Sequence, residues 1–289
     1  MASLKEVKTR ITSVQSTRKI TSAMKMVASS KLHKAQQAIE NMRPYETQLA
    51  HIMSAFVNGA QGDVSSPFSA QRSVQNVVLI AVSSNGSLCG GFNANLIKKV
   101  RETIKEYQAQ HVDIRVIPFG RKVADALSKE GFSFDSDHSS MLEHPSYEDA
   151  AVIVRNLMRE FVEGTVDRVE LIYHHFKSTS TQTLEREALL PVEHTTPNED
   201  ASTGNDLDYI IEPSVEEIMA ELVPQTLCLK LYTALLDSVA SEHAARVVAM
   251  QVATDNADEL LRDLTLTYNK TRQQAITTEL LDIVGGSMQ

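Results

Sequence analysis

The longest uninterrupted helical pattern in the chain lies near its C-terminal end, in residues 241–278. This stretch contains no Pro and no Gly, and the next glycines are Gly285 and Gly286. A helix from Pro224 to Gly285 would be about 90 Å long at roughly 1.5 Å per residue, longer than a domain of this chain. Apolar residues recur at steps of three and four, as in a seam that faces a partner helix: Val239, Ala240, Ala244, Val247, Val248, Met250, Ala257, Leu260, Leu261, Leu264, Tyr268, Ile276, Leu280 and Ile283. Such a helix requires a partner along its whole length.

A second long helical pattern occupies the first part of the chain. Ser3 and Glu6 have the spacing of a capping box. No Gly or Pro precedes Pro44, where a helix kinks or restarts, and the pattern continues to about Val57. The predicted apolar stripe comprises Leu4, Val7, Ile11, Val14, Ile20, Ala23, Met24, Val27, Ala28, Ala35, Ile39 and Met42, and then Leu49, Ile52, Met53 and Phe56.

Two long helices at opposite ends of one chain favour an antiparallel coiled coil of the termini. The alternative is that each helix packs separately on a globular core, but both patterns are much longer than an ordinary packing helix. We therefore predict an α/β protein with a long antiparallel coiled coil and a small Rossmann-like α/β domain. The predicted segments are 1–58 for the N-terminal helix, 74–193 for the α/β domain and 214–289 for the C-terminal helix.

Charge is distributed unevenly along the chain. The formal net charge is −9, yet residues 1–35 contain eight basic residues and only Glu6 as an acid, a net charge of +7 that leaves −16 for the remainder. A helix that is merely solvated usually mixes both signs, because opposite charges four residues apart attract. A basic helix on an acidic protein indicates an anionic partner, either nucleic acid or an acidic protein collar.

The middle of the chain alternates strand and helix patterns. Residues 58–73 are rich in Gly, Ser and Pro and are typical of a linker. Strands are predicted at 76–82, 113–119, 168–176 and 181–190, with helices at about 94–108, 120–129 and 147–161 between them. The strand–helix order favours parallel strands, and the last two strands alternate enough to be a hairpin-like or edge pair. Residues 194–208 form a polar loop, and Ser214 with Glu217 has capping-box spacing.

The Gly-rich turn after the first strand invites comparison with phosphate-binding loops. Gly86, Gly90 and Gly91 match neither the dinucleotide-binding pattern nor the P-loop, and no Lys stands where a P-loop needs one. We therefore favour a tight turn that allows close helix–sheet packing over a nucleotide site. No cofactor is predicted.

Candidate catalytic and metal-ligating residues are scattered. His174 and His175 are adjacent in a strand, so their side chains face opposite sides and cannot chelate one metal. His138, His144 and Glu143 fall in a polar stretch where a metal site is the weaker interpretation. Cys89 and Cys228 do not form a disulfide framework, and a reducing compartment is the simpler interpretation. No constellation predicts a catalytic centre, no metal site is predicted, and no apolar run is long enough to span a bilayer.

Three stretches together resemble the gamma subunit of F-type ATP synthase, of the bacterial type. They are residues 9–35, TRITSVQSTRKITSAMKMVASSKLHKA, residues 87–95, SLCGGFNAN, and the C-terminal signature of residues 241–286, which begins SEHAARVVAMQVATDNADEL. The resemblance covers the whole chain in order. It implies a non-catalytic rotor shaft that stands inside a ring of alternating alpha and beta subunits, with the α/β domain at its foot against epsilon and the ring of c subunits.

The resemblance also implies roles for individual residues. Contact with beta subunits and coupling would involve Arg272, Gln273, Met24, Arg246 and Lys19. Tyr209 and Glu212, in the YIIEP segment, would face the c ring or epsilon. The implied location is the cytoplasmic face of a bacterial inner membrane, peripheral to it through the complex, with no nucleic acid bound.

Two departures from the family pattern stand out. The residues before Leu88 are Ser84-Asn85-Gly86-Ser87, whereas relatives often carry a charged pair there, and the chain stops at Ser287-Met288-Gln289 instead of an Ala-rich end. Two other functions remain open from the residues alone. One is a nucleic-acid-binding coiled coil that uses the basic helix on phosphates, although it lacks a groove-reading motif. The other is a nucleotide-dependent α/β enzyme.

Overall fold

The computed structural model describes residues 3–59, 67–134, 136–192 and 214–287. The helices are α1 (Leu4–Gly59), α2 (Phe92–Ala109), α3 (Arg121–Ser128), α4 (Tyr147–Glu163) and α5 (Val215–Ser287), with 3₁₀ turns at Pro67–Ser69 and Ser139–Leu142. The strands are β1 (Asn76–Val82), β2 (Asp113–Phe119), β3 (Arg168–Phe176) and β4 (Gln182–Leu190). All predicted strands and helices of the middle region are therefore present, with ends within about two residues of prediction.

The described chain divides into two compact units. The first, called here the helix pair, consists of residues 3–30 and 246–287, and the second, the sheet unit, lies within residues 31–245. Helices α1 and α5 contribute residues to both units. The division into segments 1–58, 74–193 and 214–289 is drawn from sequence alone and stays a prediction.

The sheet unit is built on one mixed sheet in the order β2-β1-β3-β4. Strand β1 pairs in parallel with β2 and with β3, so that Leu79 lies beside Val116 and Glu170. Strand β4 runs antiparallel to β3, with Tyr173 opposite Glu185. The parallel strands and the antiparallel edge pair both agree with the prediction.

Helices cover both faces of this sheet. The even-numbered residues Val78, Ile80 and Val82 of β1 pack with α4 and with the first part of α5, where Leu231 and Leu235 are fully buried. Leu79 and Ala81 pack on the other face with Leu96 and Val100 of α2 and with Val123 and Leu127 of α3. Because neither face is solvated, β1 consists of an unbroken apolar run rather than an alternating one.

A close backbone approach joins β2 to α3 beside the end of β1. Gly120 has a φ of +99°, and a Cβ atom there would lie 2.7 Å from the Ser83 carbonyl oxygen. The Ser83 N–H donates to the Phe119 carbonyl at 2.8 Å, and the Ser83 hydroxyl accepts from the Val123 N–H at 3.1 Å. Only Gly fits this position, both for its φ angle and for the space.

The helix pair is antiparallel, as predicted. Its cross-helix contacts join Arg18 to Asp258, Thr21 to Thr254, and Lys25 to Gln251, so residue numbers rise on one helix as they fall on the other. The Ser3 hydroxyl accepts from the Glu6 N–H at 3.2 Å and caps α1 as predicted, and Ser214 caps α5 in the same way. Pro44 and Pro224 lie inside continuous helices, so neither one starts a new helix.

The predicted apolar seams are only partly correct. The side chains of Ile20 and Val27 are 59% and 60% exposed, and Ala23 is exposed as well. On α5 the exposed members of the predicted seam are Val248, Leu260, Ile276, Leu280 and Ile283. The seam of α1 actually runs through Leu4, Val7, Ile11, Val14, Arg18, Thr21, Lys25 and Ala28, whereas that of α5 runs through Met250, Thr254, Ala257, Leu261, Leu264, Tyr268 and Thr271.

Two physical reasons explain these errors. The positions of α1 that face α5 are occupied by polar residues at 18, 21 and 25. The apolar residues in this part of α1, such as Ile20 and Val27, lie on its outer face, so apolarity alone indicates the wrong face. In addition, the Arg18–Asp258 register places Leu4, where α1 begins, at the level of residue 272. The later apolar residues of α5 therefore extend past the end of α1, and a partner along the whole of α5 is not present within the described residues.

Candidate functional site

The helix pair carries most of the predicted site residues, and a polar layer lies at its middle. Three successive seam positions of α1, Arg18, Thr21 and Lys25, are polar and meet polar residues of α5. The Arg18 guanidinium donates to the Asp258 carboxylate at 2.8 Å. Lys25 donates to the Gln251 amide oxygen, and the Gln251 amide nitrogen donates to Asp255 at 2.8 Å. We call these contacts, with the Thr21–Thr254 pair, the polar layer.

The threonine pair is the most buried part of the polar layer. The Thr21 side chain is 9% exposed, and its hydroxyl oxygen lies 2.9 Å from that of Thr254. Each hydroxyl also lies within bonding distance of a carbonyl of its own helix, Arg18 at 3.0 Å and Met250 at 2.8 Å. The two hydroxyl groups have only two protons for these three contacts. Either Thr21 donates to the Arg18 carbonyl and Thr254 donates to Thr21, or Thr254 donates to the Met250 carbonyl and Thr21 donates to Thr254.

A groove runs beside the polar layer and includes one predicted site residue. It has a volume of about 370 Å³ and is lined by Arg18, Lys19, Ser22, Thr254 and Asp258. Lys19 is exposed here, next in sequence to the paired Arg18. The groove thus offers an ammonium group and hydroxyls to a partner, with the Arg18 charge offset by Asp258.

The remaining predicted site residues form two groups. Met24 on α1 is next to Lys25 of the polar layer, and Arg246 on α5 lies five residues before Gln251; both side chains are half-buried. Arg272 and Gln273 are exposed near the level of Leu4. The helical rise separates Arg246 from Arg272 by about 39 Å, so the structure does not bring the two groups together. Tyr209 and Glu212 lie outside the described residues.

Apolar side chains face solvent around the polar layer. Val27 is 60% exposed and Met26 65% on α1, and Val252 is 53% exposed on α5. Hydroxyls of exposed residues in both helices donate to carbonyls of the preceding turn, as in Thr12 to Lys8 and Thr265 to Leu261. The outer surface of the helix pair therefore combines basic and apolar groups and suits a protein partner better than a phosphate backbone.

The Gly-rich turn of the sheet unit is closed by its own side chains. The Asn93 amide donates to the Ser84 hydroxyl at 2.8 Å and to the Gly86 carbonyl at 3.2 Å, and its oxygen accepts from the Ser84 N–H at 3.0 Å. Gly90 adopts a φ of 59°. These bonds support the tight turn that the sequence predicted.

The two adjacent histidines lie on opposite faces of the sheet, as predicted. His174 stacks on Phe92 of α2 at 4.1 Å between ring centroids, and burial lowers its pKa to about 4. His175 bonds to Asp237 of α5 on the other face. His138 stacks on Phe119 and bonds to Ser136. Among the residues that the structure describes, no three metal-ligating side chains form a cluster.

A buried ionic network was not predicted. Glu170 in β3 is 3% exposed and accepts from Tyr107 at 2.7 Å, from Arg168 at 2.9 Å and from Arg186 at 2.8 Å. Burial and the bond to Glu170 raise the pKa of the Tyr107 hydroxyl. Both carboxylate oxygens of Glu170 are bonded, so the network offers no free reactive group, and removing one partner would leave buried charge unpaired. The sequence does contain one indication of this network, because Glu170 interrupts the apolar residues of β3 between Val169 and Leu171.

No helix in the described ranges combines the length and hydropathy needed to cross a bilayer.

Comparison with known proteins gives a consistent result over the full length. The family model described as ATP synthase matches residues 3–288. The ATP synthase gamma chain of Phocaeicola vulgatus is 55% identical over 289 residues and covers 100% of both chains. That of Flavobacterium johnsoniae is 46% identical and covers 99% of this chain and 98% of its own.

Solved structures show the same fold at lower identity. A chain of the Euglena gracilis mitochondrial ATP synthase, from a structure of OSCP, F1 and the c-ring, aligns with a TM-score of 0.65 at 21% identity and covers 99% of this chain and 93% of its own. A chain of the Tetrahymena thermophila mitochondrial ATP synthase central stalk and c-ring aligns with a TM-score of 0.57 at 23% identity, over 81% and 99% of the two chains.

Proposed function

The chain belongs to the ATP synthase gamma chain family, and on that premise we propose that it is the central-stalk rotor of an F1Fo ATP synthase. It couples proton-driven rotation of the c ring to conformational changes at the catalytic sites of the beta subunits. The gamma chain is a non-catalytic subunit, and ATP synthesis takes place on the beta subunits. The single observation that carries this proposal is the 55% identity over the whole chain to a named ATP synthase gamma chain.

The partners follow from the same family. The helix pair stands inside the ring of alpha and beta subunits, and the sheet unit contacts epsilon and the ring of c subunits. The basic face of α1 supports an acidic protein collar as its partner, because Lys5, Lys8, Arg10 and Lys19 are exposed. This assignment takes the place of the nucleic-acid-binding and nucleotide-dependent alternatives.

The mechanism is one of unequal binding to equivalent sites. An asymmetric shaft presents different faces to three beta subunits at any moment, and each face favours a different open or closed state. Such a shaft acts as a ligand with unequal affinity for those states, and only that inequality can shift their populations. Rotation also requires that no single contact with the collar be strong, and exposed ion pairs, worth about 0–1 kcal/mol each, satisfy this requirement.

Individual residues take part as follows. Arg272 and Gln273 contact a loop of a beta subunit, and their exposed side chains support this role. Lys19, Met24 and Arg246 form the second contact region, supported by the position of Lys19 in the groove beside the polar layer. Tyr209 and Glu212 face the c ring or epsilon, on the strength of the family resemblance alone.

The complex is membrane-associated, and the chain is peripheral to the membrane. The curated relatives at 55% and 46% identity come from the bacteria Phocaeicola vulgatus and Flavobacterium johnsoniae. This supports a location on the cytoplasmic face of a bacterial inner membrane.

Co-purification tests this proposal. The tagged chain would be isolated from the membrane fraction of its native cell, and the accompanying proteins identified by mass spectrometry. Alpha, beta and epsilon subunits should accompany it in fixed ratios, with c subunits when the membrane is solubilised mildly. Recovery of the chain alone, or with nucleic acid, would contradict the assignment.

A further inference from the structure

We propose that Leu88 is an apolar contact residue, which the turn between β1 and α2 holds out for insertion into an apolar pocket of a beta subunit. Residues 84–91 are called here the Leu88 turn. The choice of partner rests on the proposed function, whereas the strain and exposure that motivate the proposal are properties of this chain alone.

The backbone of Leu88 adopts a conformation that is rare for leucine. Its φ is +65°, in the left-handed region where the Cβ atom of an L-residue crowds the following carbonyl oxygen. One other non-glycine residue in the described ranges has a positive φ, His111 at the end of α2, and histidine is among the residues enriched in that conformation. A glycine at position 88 would adopt the same φ without strain.

The side chain of Leu88 does not offset this strain through burial. It is 57% exposed, whereas the next residue, Cys89, is 1% exposed. An apolar side chain stabilises a fold in proportion to the area that it removes from water, and most of the Leu88 side chain stays in water. Among the described residues, therefore, nothing compensates for the presence of leucine rather than glycine in this turn.

Side-chain hydrogen bonds hold the Leu88 turn in place. The Asn85 amide nitrogen donates to the Ser139 carbonyl at 2.8 Å, and the Asn85 amide oxygen accepts from the Arg121 N–H at 3.2 Å. A strained residue persists only where its surroundings determine its conformation, and such residues cluster at binding sites. Because the turn is already ordered, a partner would not need to immobilise its backbone on binding Leu88.

The surroundings of Leu88 indicate an uncharged partner surface. Residues 83–95 contain no Asp, Glu, Lys, Arg or His. An aliphatic side chain among Ser, Asn and Gly residues fits an apolar pocket with a polar rim, whereas a charged group of the partner would be buried against it without a counter-charge. This contact therefore differs in kind from that of the basic face of α1, which suits an acidic collar.

The position of the Leu88 turn favours a beta subunit as the partner. The turn follows the carboxyl end of β1, and at this end the Ser238 hydroxyl of α5 donates to the Val82 carbonyl at 3.3 Å. Arg246, for which we propose contact with a beta subunit, follows Ser238 by eight residues in the same continuous helix. Continuity with that contact region along α5 supports the same partner for Leu88.

Four variants of the full chain test the proposal. Leu88→Gly removes the side chain and relieves the backbone strain, and Leu88→Ala removes most of the side chain without relieving the strain. Leu88→Met keeps an apolar side chain of similar volume. Val152→Ala is the matched control, because Val152 is also 57% exposed but lies on α4.

Stability and assembly should respond to Leu88→Gly in opposite directions. The midpoint of denaturant unfolding of the free chain should rise, because glycine adopts a positive φ without strain. Dissociation from assembled alpha and beta subunits should become about tenfold faster, the change that 1.4 kcal/mol produces. Leu88→Ala should dissociate equally fast without a gain in midpoint, and Leu88→Met and Val152→Ala should dissociate at the native rate.

Cross-linking identifies the subunit that receives Leu88. A benzophenone side chain in place of Leu88 would be activated by light in the complex assembled from purified alpha, beta and epsilon subunits. We expect a cross-link to a beta subunit, located by mass spectrometry among apolar residues. Cross-links to alpha or epsilon alone, or none, would overturn the choice of partner.

Two results would overturn the role of Leu88 itself. One is a native dissociation rate in Leu88→Gly, and the other is a lower unfolding midpoint in that variant, which is expected of a residue with only a structural role. Failure of the native chain to assemble with alpha and beta subunits would instead overturn the proposed function, and the choice of partner with it. The midpoint of the free chain would still show whether Leu88 destabilises the fold.

Discussion

At the scale of single residues, burial distinguishes polar residues with a structural role from those that are able to contact a partner. Glu170 and His174 lie inside the sheet unit and are 3% and 4% exposed. Arg272 and Lys19 lie on the surface of the helix pair. From sequence alone, each of these residues could have a structural role or a role in contact with a partner. Burial decides which role is possible, because only an exposed side chain can reach a partner.

Replacing Glu170 should destabilise the sheet unit strongly. Glu170→Ala leaves Arg168 and Arg186 without their buried carboxylate, and breaking a buried pair in this way costs about 3–5 kcal/mol. Because both arginines are partly exposed, the lower end of that range is expected. Denaturant unfolding measures the loss. Glu130→Ala, which removes an exposed pair with Arg101, should cost less than about 1 kcal/mol, and equal losses in the two variants would show that the network is not structural.

The stability of the sheet unit should depend on pH through His174. Its pKa is lowered to about 4 by burial, whereas an unfolded chain binds the proton near pH 6.5. The unfolded state therefore gains protons first, and stability falls as the pH drops from about 6.5 to 4, by about 3 kcal/mol in all. His174→Leu should abolish this part of the slope in unfolding free energy against pH. An identical slope in both proteins would rule out His174 as its source.

At the scale of elements, the strands were easier to predict than the helix seam. Strand β1 is an apolar run because both faces of the sheet are covered, and its length and flanking turns identify it. The seam of α1 was misplaced at Ile20 and Val27, because heptad position and apolarity disagree between Arg18 and Lys25. The partner residues that make polar side chains acceptable in a seam lie over two hundred residues away in sequence, so no local pattern contains them.

Two valines of the predicted stripe, one buried and one exposed, provide a test of the corrected seam. Val7 is 3% exposed and Val27 is 60% exposed. Val7→Ala should weaken the helix pair by about 2 kcal/mol through lost apolar burial, whereas Val27→Ala should change it by less than about 0.5 kcal/mol. Hydrogen exchange of the backbone amides of residues 4–14 reports the local opening free energy. Faster exchange in Val27→Ala than in Val7→Ala would contradict the corrected seam and support the predicted one, which includes Val27.

At the scale of the whole molecule, the described chain consists of the helix pair and the sheet unit. The residues assigned to beta-subunit contact lie in the helix pair, and the buried ionic network lies in the sheet unit. The fold class followed from the two long terminal patterns and the alternating middle. The contact residues did not follow from these patterns, because the surfaces that give them meaning belong to other subunits.

Charge reversal distinguishes the contact face from the rest of the surface. Arg272→Glu should lower coupled proton pumping by up to about fivefold, the change expected when one exposed charged contact worth at most about 1 kcal/mol is lost. Lys129→Glu changes the charge equally on an exposed residue that follows α3 and should leave pumping near the native level. Pumping and ATP hydrolysis are measured in reconstituted vesicles, and equal activities in the two variants would count against the assignment of Arg272.

The most direct test of the rotor assignment is a single-molecule rotation assay. The chain would be assembled with alpha and beta subunits on a surface, with a bead attached to a cysteine introduced at Lys129, and observed while ATP is supplied. We expect rotation in one direction with three equally spaced pauses per turn, and we expect it to stop when ATP is removed. Beads that only fluctuate with and without ATP, in assemblies that still hydrolyse ATP, would contradict it.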